Sequence, residues 1–95
     1  MVSFGSSKRE ESITQALGQI RHLQSLSYKN NELKGWLDRT TAMLKTEFGA
    51  ESAEVRRFTN APGRAFTIGT ETGKEQEYQR QIDCYEEVLK NLLGR

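Results

Sequence analysis

Between Arg56 and Lys74 the sequence reads RRFTNAPGRAFTIGTETGK, and Arg56, Arg57 and Arg64 all precede the first acid of the stretch, Glu71. Guanidinium groups bind phosphates through paired hydrogen bonds and stack on nucleobases. Phe66 offers an aromatic face, Thr67 and Thr70 offer hydroxyls, and Lys74 adds an ammonium group near the start of a helix. This mixture suits the capture of a small anionic ligand of nucleotide type, so Arg56, Arg57, Arg64, Phe66, Thr67, Thr70 and Lys74 are the candidate binding residues. The same types also have a plain structural use. Arginines near a helix C-terminus complement its dipole, and Glu51 or Glu54 could pair with them at the surface.

Gly69, Gly73 and Lys74 invite comparison with a P-loop, whose amides and lysine cradle a polyphosphate. The glycines are one residue too close, and Glu75 stands where a magnesium-binding serine or threonine belongs. No pattern of a buried parallel strand surrounds them, which argues against an NTPase. What survives is an anion held at the N-terminus of the last helix, weighed against an ordinary capped turn. The single histidine, His22, and the single cysteine, Cys84, lack the sequence-local partners of a metal site or a nucleophile–base pair. Asp38 and Asp83 fall on separate helices among basic residues. The expectation is a protein that is not an enzyme, with no metal and no cofactor.

Around this stretch the apolar pattern is helical throughout, which predicts an all-α fold of three long amphipathic helices and one short one. Ser7 to Glu10 has capping-box spacing, and Ile13, Ala16, Leu17, Ile20 and Leu23 follow as one stripe ending near Leu26. A polar joint from Ser27 to Asn31 then supplies asparagine caps for a second helix. That helix carries Leu33, Trp36, Leu37, Met43, Leu44 and Phe48 on one face and stops at Gly49. Ser52 caps a short third helix running to about Phe58. Thr72 to Glu75 repeats the capping box, and Tyr78, Ile82, Tyr85, Leu89 and Leu92 form the stripe of the last helix. The intervening loop, 59–73, is glycine-rich, with a turn at Pro62-Gly63 and a small β-excursion over Ala65 to Ile68. Residues 1–6 read as a flexible lead, and the chain as a single domain over residues 1–95.

A chain of 95 residues with 35% apolar content has a small core, which sharing apolar surface with a second copy would complete. A homo-oligomer is therefore expected. The net charge of +1 argues against a grip on duplex nucleic acid. No apolar run approaches the ~18 residues that cross a bilayer, and one cysteine makes no internal disulfide, so a cytoplasmic setting is expected.

Trp36, Leu44, Phe48-Gly49, Ser52 and Phe58, in that order, resemble the short helical modules that precede effector domains in some bacterial antiviral proteins, including TIR-like nucleotide-sensing ones. The resemblance implies an assembly role linked to antiviral signalling. A chain carrying such a module also resembles viral sponge proteins, which sequester immune nucleotide signals in small homo-oligomers. Together these point to a non-enzymatic homo-oligomeric protein that captures a nucleotide-type ligand at a site a neighbouring subunit could complete. The alternative is a protein–protein interaction or oligomerisation adaptor that recognises through the apolar faces of its second and last long helices, with Tyr85 and Leu92 as exposed members.

Overall fold

A computed structural model describes residues 4–63 and 69–93. The fold is all-α: α1 (Phe4–Gly18), α2 (Ile20–Gln24), α3 (Glu32–Phe48), α4 (Ala53–Thr59) and α5 (Glu71–Leu93). No strand occurs among the described residues, and the expected excursion over residues 65–68 lies outside them.

The first long helix differs from expectation at its start and in the middle. It begins at Phe4, so Ser7 falls within a turn that already supplies acceptors for the amides a capping box would serve. It then breaks at Gln19. The Gln19 N–H and the indole Nε1–H of Trp36 both donate to the Ala16 carbonyl, at 3.2 and 3.1 Å. A buried indole must find an acceptor, and taking one from the facing helix steps α1 into α2 without losing the apolar stripe. Ile13, Ala16, Ile20 and Leu23 are all buried across the break.

α3 follows the sequence pattern closely. Asn30 Oδ1 accepts from the N–H groups of Glu32 and Leu33, at 2.7 and 3.1 Å, and so satisfies the orphan amides of the first turn. At the other end Gly49 has φ 102° and ψ 144°, an extended mirror-image conformation rather than the left-handed helical one, but equally one that favours glycine. Ser52 then accepts from Val55 N–H at 3.2 Å and starts α4. The tight turn folds α4 back on α3, bringing Phe58 to 5.9 Å from Trp36 between ring centroids.

α5 closes the core by packing against α1, α2 and α4. Its Tyr85 ring lies 5.0 Å from Phe58 and 6.2 Å from Trp36, forming an aromatic triad inside the molecule. Tyr78, Ile82, Leu89 and Leu92 are also buried. Burying such side chains stabilises the fold by about 1.5–3 kcal/mol each. Tyr85 and Leu92, expected to be exposed on a recognition face, are thus core residues at 8% and 5% exposure. The last stripe is wholly consumed by the chain's own packing.

Candidate functional site

α4 is too short to have more than one buried row. Val55 and Phe58 take it, which leaves Arg56 and Arg57 exposed at the helix's C-terminal end. Their charge complements the negative end of the helix dipole there. Neither side chain is in an ion pair or hydrogen bond among the described residues, so the pairing with Glu51 or Glu54 weighed from the sequence is not formed. Arg64, Phe66 and Thr67 lie outside the described residues.

Thr70 and Lys74 stand at the start of α5. Thr70 Oγ1 accepts from Gly73 N–H at 3.0 Å, so Thr70, not Thr72, caps the helix. The capping box read over Thr72 to Glu75 does not form, because the Glu75 carboxylate is engaged elsewhere. It accepts from Ser27 Oγ at 3.0 Å and from Tyr28 N–H at 3.2 Å. Lys74 is exposed, with its Nζ 5.8 Å from the centroid of the Tyr28 ring. Lys29 Nζ lies at the same distance from that ring and 3.8 Å from Glu71.

These contacts belong to a polar seam that the sequence pattern did not reveal. The joint between α2 and α3 is laid along the first half of α5. Tyr78 OH donates to the Leu23 carbonyl and accepts from Asn30 Nδ2 at 2.9 Å, while Gln79 Nε2 donates to the Gln24 carbonyl at 2.9 Å. Tyr28 OH donates to Glu71 at 2.9 Å. Burial, opposed by the Asn30 hydrogen bond and reinforced by the Glu75 charge, holds the Tyr78 hydroxyl above its ordinary pKa. Burial does the same for Tyr85.

Arg80 anchors the opposite side of α5. It forms a two-pronged pair with Glu77, at 2.9 and 2.6 Å, and donates to the Pro62 carbonyl at 2.8 Å. That bond fixes the turn where Gly63, at φ 62°, donates to the Asn60 carbonyl. Glu77 and Arg80 are three apart on a helix, a spacing from which the pair was readable. Nothing in the sequence pattern pointed to Pro62. Beside Arg80 a groove of about 390 Å³ runs along α5, lined by Thr72, Glu75, Gln76, Gln79, Arg80 and Asp83. Its two carboxylates against one cation do not suit an anion.

No side-chain hydrogen bond or ion pair joins the four described candidates, Arg56, Arg57, Thr70 and Lys74, to one another. Arg56 and Arg57 lie on the outer face of α4, Lys74 lies against the joint, and Thr70 is committed to its cap. No group of three or more histidine, cysteine, aspartate or glutamate side chains among the described residues could hold a metal ion, and no helix among them is long and apolar enough to cross a membrane. No protein-family model, curated protein or solved structure matches the chain.

Proposed function

We propose that this protein is a non-enzymatic binding protein that captures a small anionic ligand of nucleotide type, acting in the cytoplasm as a small homo-oligomer. The observation that carries this reading is the state of Arg56 and Arg57. Both are exposed, adjacent and without a carboxylate partner among the described residues, although acids at positions 51 and 54 stand close by in sequence. An unneutralised guanidinium pair is the arrangement that gains most from an incoming phosphate, since it gives up no existing ion pair. Arg64, Phe66, Thr67 and Lys74 remain in the proposed set. Thr70 contributes through the cap that fixes the start of α5. Titration calorimetry with mono-, di- and cyclic nucleotides should show binding to the native protein and at least about a tenfold loss in the double variant Arg56→Ala, Arg57→Ala. Equal affinity in the two proteins would refute the assignment.

A second reading, an adaptor or oligomerisation module, is favoured by a different observation. Trp36, Leu44, Phe48, Gly49, Ser52 and Phe58, which carry the likeness to antiviral helical modules, all build the α3–α4 hairpin: three are buried, Phe48 is half-buried against the core, Gly49 ends a helix and Ser52 caps the next. They specify a scaffold. Since Tyr85 and Leu92 are in the core, the half-buried Leu33 and Leu37 of α3 are the recognition residues under this reading. Replacing both with lysine would then dissociate an assembly that the arginine variant leaves intact, as sedimentation velocity would show.

A further inference from the structure

We propose that the recess between α1 and α3 is a second binding site, built for a small oxyanion: a carboxylate or phosphate group on a short aliphatic body. The recess measures about 210 Å³. It opens where α1 ends at the Gln19 step, and the clamping of the Ala16 carbonyl by Trp36 fixes that end against α3. Ser12, Gln15 and Gln19 line it from the α1 side, Arg39, Thr40 and Met43 from α3. No acidic side chain lines it, and its polar groups include two hydroxyls, two carboxamides and one guanidinium, all able to donate to an oxyanion.

Thr40 is the observation that points to a ligand. It is the polar residue buried with the core, at 4% exposure. A helical threonine ordinarily satisfies its hydroxyl on the carbonyl one turn back, as Thr46 does on Ala42 at 3.1 Å and Thr59 does on Val55 at 3.0 Å. Thr40 makes no such bond. Yet no fully enclosed side-chain nitrogen or oxygen lacks a partner among the described residues, so the Thr40 hydroxyl must reach open volume, and the volume it lines is this recess. Open to that recess, the hydroxyl is free to donate to an acceptor that enters it.

Arg39 supplies the charge. It is exposed and in no ion pair among the described residues. Its guanidinium folds back along α3, where a Cβ on Gly35 would stand 3.2 Å from Nη1. A glycine near the start of this helix therefore leaves the arginine room beside the recess. Met43 and Ala16 give the aliphatic body an apolar wall.

The site is independent of the Arg56–Lys74 stretch, and its test separates the two. Amide chemical shifts of isotope-labelled full-length protein would be followed during titration with inorganic phosphate and, separately, with propionate. Saturable shifts are expected at Gln19, Arg39 and Thr40 with one of the two probes, and the better probe identifies the anion. Arg39→Gln should weaken that binding at least about tenfold, Thr40→Val should weaken it and Thr40→Ser restore it, while Arg56→Ala with Arg57→Ala should leave it unchanged. Should Thr40→Val disturb the spectrum of α5, Arg39→Gln and Thr40→Ser decide the matter. Absence of saturable shifts with both probes, or undiminished binding in Arg39→Gln, overturns the proposal.

Discussion

Gly35 and Tyr78 show how much single side chains decide here. A glycine inside a helix costs conformational entropy, and among the described residues beyond the helix's own backbone an added Cβ at Gly35 would meet the flexible end of Arg39. Gly35→Ala should therefore stabilise the fold by about 0.5–1 kcal/mol in urea denaturation. Tyr78 has the opposite character. Its hydroxyl joins the Leu23 carbonyl to Asn30 inside the seam; Tyr78→Phe removes both bonds, although Leu23 keeps the Leu26 N–H and Asn30 keeps the Ser27 carbonyl, and should destabilise by about 1–3 kcal/mol. Both Tyr78 and Tyr85 hold their protons more tightly folded than unfolded. The stability this contributes is complete below the unfolded value of about 10 and is lost as pH rises through the higher folded values. Denaturation midpoints should accordingly fall in the alkaline range above about pH 10 and not near neutrality. Of the candidate site, Arg56, Arg57 and Lys74 are exposed as their types implied. Thr70, a candidate ligand hydroxyl, accepts from Gly73 N–H as the cap of α5, because the residue before an acidic first turn is where a hydroxyl gains most from the backbone, and its own O–H remains a donor.

Among the elements, α3 and α4 were legible in detail, because an uninterrupted 3.6-residue stripe, a terminal glycine and a capping serine are local signals that agree with one another. The break at Gln19 was not legible. It arises from Trp36, seventeen positions away along the chain by number, and no local pattern reports a tertiary hydrogen bond from an indole to a helix carbonyl. The start of α5 failed for the same reason. Thr72 and Glu75 have the spacing of a capping box, yet the joint at Ser27 and Tyr28 competes for the Glu75 carboxylate. The two assignments of the cap predict different outcomes. Thr70→Ala should cost about 1 kcal/mol, whereas Thr72→Ala should stay within about 0.5 kcal/mol of the native protein. Thermal melts followed by circular dichroism distinguish them, and a larger effect at Thr72 would contradict the cap described here.

At the scale of the whole molecule, α5 is the spine. Its 23 residues extend about 34 Å, and the chain around it measures 53 × 25 × 20 Å. One face of that spine is apolar and buried, and the flanks hold the joint on one side and the Pro62 turn on the other. Leu92→Ala should therefore act as a core truncation, costing about 2–5 kcal/mol in urea denaturation, rather than as the loss of an exposed contact. Arg56 and Arg57 are exposed and their side chains make no ion pair or hydrogen bond among the described residues, so their replacement should change stability by less than about 0.5 kcal/mol. That contrast allows binding to be tested without confusing it with folding. Native mass spectrometry of the protein as isolated from cells, and after incubation with mono-, di- and cyclic nucleotides, reads assembly and ligand mass together. A stoichiometric nucleotide adduct on a homo-oligomer, lost in the Arg56→Ala, Arg57→Ala variant, is the predicted result; a species that stays bare with every nucleotide would contradict ligand capture.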